Sequence, residues 1–153
     1  MIYTALTNKA MRFAYAAHHG QCDKNGIPYI FHPYHLAEQM PDEVTTCVAL
    51  LHDVAEDTAV SWEVLEREFP PRVVGALRLL THAPTDDYFA YIRALAVDPV
   101  ARTVKRADLL HNLDESRYAG RRKPARDVLA RRREKYKEAL RMLDAVSAPD
   151  QSS

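Results

Sequence analysis

Helical spacing of apolar residues runs through nearly the whole of this 153-residue chain, and no window sustains the apolar–polar alternation of a half-buried strand. All nine prolines fall between the helically periodic segments or at their first positions, where the missing backbone N–H costs nothing. The pattern predicts an all-α fold, a single helical bundle of about eight helices, and argues against any sheet-based architecture. Helices are expected near residues 4–19, 33–40, 43–57, 62–69, 71–82, 86–97, 99–115 and 124–146. Residues 1–147 read as one domain, long enough to bury roughly two thirds of the surface of the unfolded chain. The tail from Ala148, APDQSS, reads as disordered, being polar and without periodicity.

No run of eighteen apolar residues exists, and the opening MIYTALTNKAMRF lacks the charged-then-apolar order of a signal peptide, so a cytoplasmic protein without a membrane span is expected. Cys22 and Cys47 lie far apart without CxxC spacing, which points to ordinary thiols rather than a disulfide framework or a thiolate zinc site. The zero net charge conceals an asymmetry: residues 1–101 hold 7 Lys and Arg against 13 Asp and Glu, whereas residues 102–141 hold 14 against 6. That basic segment suits phosphate, or else forms a solvated helix face. Nucleic-acid binding is the weakest reading of it, because Asp127, Glu134 and Glu138 interrupt the face. The sequence leaves oligomeric state open, a homo-oligomer included.

The stretch ALLHDVAED, residues 49–57, carries the most chemistry. On a continuous helix His52 stacks with Glu56 and Asp53 with Asp57, while Val44, Cys47, Val48 and Leu51 line the opposite side. An imidazole and three carboxylates beside an apolar core are costly to desolvate without a cation or hydrogen-bonding partner. An exposed ion pair is the alternative for HxxxE taken alone. Two further segments add donors. His32 precedes Pro33 at the end of a long loop, residues 20–32, where proline at a first helical position leaves His32 at the helix start. In VKRADLLHNL, residues 104–113, Lys105, Asp108 and Asn112 share a helix face, and Asp108 sits among Val104, Leu109 and Leu113, so its carboxylate needs a partner. Two imidazoles with two carboxylates suit a borderline to hard divalent ion such as manganese, iron, zinc or cobalt. A carboxylate left uncoordinated nearby would handle protons, and Glu56 and Asp57 are the candidates.

In order, AxxAHHGQ, KNGIPYIFHP, ALLHDVAEDT and VKRADLLHNL resemble the HD-domain metal-dependent phosphohydrolases, and within them the RelA/SpoT-type (p)ppGpp hydrolase domain and its small stand-alone relatives. The resemblance covers residues 5–140. It implies a helical fold holding one Mn2+ and releasing pyrophosphate from the 3′ position of guanosine alarmones, a small-molecule nucleotide substrate. By position it implies His32, His52, Asp53 and Asp108 as metal ligands and assigns Glu56 and Asp57 to the attacking water and the geometry of hydrolysis. It places Asn112 near the sugar and Tyr136, in RRREKY, beside the nucleotide. Lys24 and Lys105 are candidates to neutralise phosphate oxygens.

The chain departs from the family pattern at three positions. Asp23 stands where the family has an arginine against the base, and Leu109 and Asp114 replace two more arginines. Arg117, Arg121, Arg122 and Lys123 follow the Asn112 helix and offer compensation, or form a basic loop in water. Another phosphorylated nucleotide, such as NADPH or an adenosine analogue, is therefore an alternative substrate, and a non-catalytic nucleotide- or metal-binding module is a third reading. His18, His19, His82 and His111 are expected to be surface or satisfied interior residues. So is His35, although it lies one turn after His32, within reach of the same site.

Overall fold

The computed structural model describes residues 1–120 and 123–147. Among them run nine α-helices: α1 (Ala5–Ala17), α2 (Phe31–Glu38), α3 (Glu43–Leu51), α4 (Val54–Asp57), α5 (Trp62–Glu68), α6 (Pro71–Leu80), α7 (Tyr88–Ala96), α8 (Pro99–Leu113) and α9 (Arg126–Ser147), with a 3-10 turn at Glu115–Tyr118. A single bridge between Cys22 and Pro28 is the only β-type pairing among the described residues. The fold is all-α, as the periodicity predicts. Arg121, Arg122 and the tail from Ala148 lie outside the described residues, and no described helix is long and apolar enough to cross a membrane.

Local chemistry explains where the helices start. The side chains of Thr4, Asp42, Ser61, Asp87 and Asp98 each accept a backbone N–H of the helix that follows, and Pro71 and Pro99 occupy first-turn positions. Two expectations shift. Helix α2 begins at Phe31, which puts Pro33 at its third residue instead of its first. The segment expected as one helix over 43–57 is broken in two. His52 keeps helical angles, but Asp53 sits at φ −104° and ψ 2°, between the helical and extended regions. The His52 ring also takes the Ala49 carbonyl at 2.7 Å, the acceptor that an unbroken helix offers to residue 53.

Helix α3 forms the centre. Every residue from Thr45 to Leu51 is buried, and α1, α2, α6 and α8 pack around it. A helix apolar on all sides can only be an interior one. Leu36, Val48, Leu50, Leu51, Leu77 and Leu109 are fully enclosed there, each contributing about 1.5–3 kcal/mol of burial free energy. Helix α9 closes the far side against α7 and α8 through Ala139 and Leu143. The consequence for function is positional: the C-terminal end of α3, the first turn of α2 and the latter half of α8 meet.

Candidate metal centre and its cavity

These elements bring four donors together. His32 comes from α2, His52 and Asp53 from the break after α3, and Asp108 from α8. His32, His52 and Asp108 are 7%, 5% and 6% exposed. His32 Nε2 lies 3.1 Å from Asp108 Oδ1, and His52 Nε2 lies 3.0 Å from Asp53 Oδ2 and 3.8 Å from Asp108 Oδ1. Donor atoms of His32, His52 and Asp53 all fall within 4.8 Å of one another.

The electrostatics of this cluster call for positive charge. His52 Nδ1 faces the Ala49 carbonyl, which only accepts, so the proton sits on Nδ1 and Nε2 is left to face the carboxylates. Nε2 is buried and has no aligned hydrogen-bond partner, despite its short approach to Asp53. Burial pushes the His52 pKa down, yet Asp53 and Asp108 outweigh burial and raise it to about 9. Burial likewise pushes both carboxyls up. His52 outweighs this at Asp53, and Lys105 with His32 and His52 outweighs it at Asp108, so both carboxyls are held below their ordinary range. Two imidazoles and two ionised carboxylates, with a buried ring nitrogen lacking a partner, form the mixed N/O donor set of a divalent cation, and the residues present fit one.

Outer groups fix the donors. Asn112 Nδ2 donates to Asp108 Oδ1 at 2.9 Å, and Lys105 Nζ donates to Asp108 Oδ2 at 2.9 Å, supplying the partners this buried carboxylate requires. The Tyr29 hydroxyl donates to Asp53 Oδ2. His32 Nδ1 lies 2.7 Å from His111 Nδ1, and the His111 ring packs on His35 with centroids 4.2 Å apart. Glu56 and Asp57 cluster with Asp53, their oxygens also within 4.8 Å of one another. Glu56 Oε1 accepts the backbone N–H of His82 at 2.7 Å, while burial and the Asp53 and Glu56 charges push the Asp57 carboxyl up to about 6.

A cavity of about 410 Å³ opens beside the donors, lined by His32, Asp53, Asp108, Tyr29, Asn112 and Tyr136 and by a basic group of Lys24, Arg117 and Arg132. Lys24, Asn112 and Tyr136 thus lie where a ligand of this centre would be. Lys105 does not line that cavity; its ammonium is turned to Asp108 and lines a small recess behind the donors. Asp23 also lines the main cavity, where its Oδ1 accepts the N–H groups of Asn25 and Ile27 and its Oδ2 faces Arg117 at 3.6 Å. Cys22 is an exposed thiol of this cavity and Cys47 a buried one, and they are not joined. Lys123 lines a separate recess with Arg126 and Arg133.

Sequence reasoning missed Tyr29, Arg132 and the part played by His111. Tyr29 precedes His32 by three residues and His111 follows Asp108 by three, and a search for polar side chains one turn from each donor would have found both. His18, expected to be a surface or satisfied interior residue, is 2% exposed; its Nδ1 meets Gln21 at 2.8 Å but its Nε2 is buried without a partner.

The model of the HD domain matches residues 10–135. The chain is 36% identical over 129 residues to a GTP pyrophosphokinase of Streptomyces antibioticus, covering 75% of this chain and 15% of that protein. It is 32% identical over 157 residues to the guanosine-3′,5′-bis(diphosphate) 3′-pyrophosphohydrolase of Spiroplasma citri, covering 91% and 20%, and 34% identical over 117 residues to the enzyme of that name from Aquifex aeolicus, covering 69% and 17%. The chain therefore spans 15 to 20% of the length of these curated relatives. A solved structure, that of a metazoan ortholog of SpoT that hydrolyzes ppGpp, aligns with TM-score 0.68 over 95% of this chain and 96% of that one at 24% identity, a likeness of fold. With the helical architecture and the His52–Asp53 pair set at the end of its central helix, the chain belongs to the HD domain family.

Proposed function

We propose that this chain is a divalent-metal-dependent phosphohydrolase, using Mn2+, that removes the 3′-pyrophosphate of (p)ppGpp or a closely related nucleotide in the cytoplasm. The observation that carries the reading is the convergence of His32, His52, Asp53 and Asp108, three of which, His32, Asp53 and Asp108, line a cavity that also offers Lys24, Arg117 and Arg132. The names of the Spiroplasma and Aquifex relatives support the substrate. Two unpaired cysteines accord with a reducing compartment.

The four donors would hold the cation, which supplies activation of water and neutralisation of phosphate charge when bound. Lys24, Arg117 and Arg132 receive the phosphate oxygens, Asn112 the sugar and Tyr136 the nucleotide. Water oxygen bonds to the phosphorus attached to O3′ as the bond from that phosphorus to O3′ breaks. The Glu56 and Asp57 carboxylates take the proton lost by water and pass a proton on to O3′, so that the products are pyrophosphate and a nucleotide with a free 3′-hydroxyl.

Asp23 favours a second reading. A carboxylate among the phosphate-facing cations weakens the field for a substrate bearing four or five phosphates, and a less phosphorylated nucleotide such as NADPH or an adenosine analogue loses less by it. Incubation of the purified protein and Mn2+ with ppGpp, NADPH and a 3′-phosphorylated adenosine, with products separated by anion exchange, distinguishes the two. Faster turnover of ppGpp upholds the first reading, and preference for another nucleotide replaces it.

A further inference from the structure

We propose that His111 is a positioning residue for the metal centre: it accepts the Nδ1–H of His32 and so sets the tautomer and ring plane in which His32 Nε2 is offered to a cation. The inference rests on the reading of His32 as a ligand. The two Nδ1 atoms are 2.7 Å apart, the ring planes differ by 7° and the centroids lie 4.9 Å apart. An imidazole nitrogen lies about 1.1 Å from its ring centre, so two rings bonded nitrogen to nitrogen in one plane have centres roughly 5 Å apart. The numbers describe rings joined edge to edge, not stacked.

One proton lies between those nitrogens. His32 Nε2 is the atom on the side of Asp108, at 3.1 Å, and to present a lone pair there His32 must carry its proton on Nδ1. His111 Nδ1 is then the acceptor, and its own proton sits on Nε2. The opposite arrangement, with the proton on His111 Nδ1, leaves His32 protonated on Nε2, bound to Asp108 and unable to ligate.

His111 is itself held. It follows Asp108 by one turn of α8, its ring lies on that of His35, one turn beyond His32 on α2, and Arg117 donates to its carbonyl at 3.1 Å. Helix α8 thereby supplies one donor directly and orients another supplied by α2.

The test compares Mn2+ affinity of metal-stripped wild type, His111→Asn, His111→Gln and His111→Leu, with the melting temperature of each metal-stripped protein and the absorption of the Co2+ form. An asparagine amide oxygen takes the place of Nδ1, whereas a glutamine amide takes that of Nε2 and leucine accepts nothing. Affinity should fall 10–100-fold in the Leu and Gln variants, with a changed Co2+ spectrum and near-native metal-free melting, and stay within about threefold in the Asn variant. Unchanged affinity in the Leu and Gln variants would overturn the inference, as would equal losses in Asn and Gln. Failure of the wild type to bind Mn2+ would overturn the ligand assignment together with it. Normal Mn2+ binding and a weakened Gln variant, in a protein that leaves ppGpp intact, would support the inference while overturning the substrate reading.

Discussion

Asp23 holds its own loop together and faces Arg117 at 3.6 Å across the cavity lining, one carboxylate oxygen serving each task. An asparagine at 23 retains the oxygen that accepts the Asn25 and Ile27 N–H groups and removes the charge. Asp23→Asn should therefore lower KM for ppGpp roughly fivefold at low ionic strength, about 1 kcal/mol of relieved repulsion, with the gain shrinking as salt is added. Steady-state kinetics at two salt concentrations measure it, and an unchanged KM would remove Asp23 from substrate discrimination. Asp23→Arg, in contrast, deletes the acceptor of two loop N–H groups and should lower the melting temperature.

Glu56→Gln preserves an oxygen for the His82 N–H while removing the carboxylate proposed as the base. Turnover should slow by ~10²-fold with Mn2+ content intact. Single-turnover rates beside metal analysis check this; a near-normal rate would take Glu56 out of the proton path.

Asp53→Ala removes a donor and leaves the Tyr29 hydroxyl without its acceptor. Bound Mn2+ and hydrolysis should be lost together. Retention of stoichiometric metal after dialysis would contradict the ligand assignment.

Asp98 joins two elements, accepting the N–H groups of Val100 and Ala101 and pairing through both oxygens with Arg72. Burial pushes its carboxyl up, but Arg72 and the capping N–H groups outweigh this and hold it below the ordinary value. A depressed folded value means that the stabilisation is complete above the unfolded value, about 3.9, and is lost as pH falls through the folded one. Asp98→Ala should cost about 1–2 kcal/mol at neutral pH, and urea denaturation should show the gap to wild type narrowing in acid. A gap independent of pH would mean that Asp98 acts without its charge.

The helices and the donors were legible in the sequence for physical reasons. Proline and capping residues mark helix ends locally, and an adjacent His–Asp pair beside a buried stripe requires compensation wherever it sits. The break after Leu51 was not legible, because propensity favours continuity through His52 and Asp53 and the bond of the His52 ring to the Ala49 carbonyl is a detail of side-chain placement. Tyr29 to Asp53 and His32 to His111 span 24 and 79 residues, contacts that only the packing of α2 against α8 and the end of α3 creates. Spacing puts Lys105 on one face with Asp108, and the phosphohydrolase resemblance makes it a candidate for phosphate; in the fold its ammonium pairs with the buried Asp108 carboxylate.

Metal-dependent hydrolysis at this centre is tested most directly by turnover of ppGpp by protein stripped of metal and then reconstituted with Mn2+, with products separated by anion exchange. A Mn2+-dependent 3′-pyrophosphohydrolase gives GDP and pyrophosphate in equal amounts with Mn2+, and none without it. Intact ppGpp in the presence of a filled Mn2+ site, or hydrolysis that persists in the stripped protein, would contradict it.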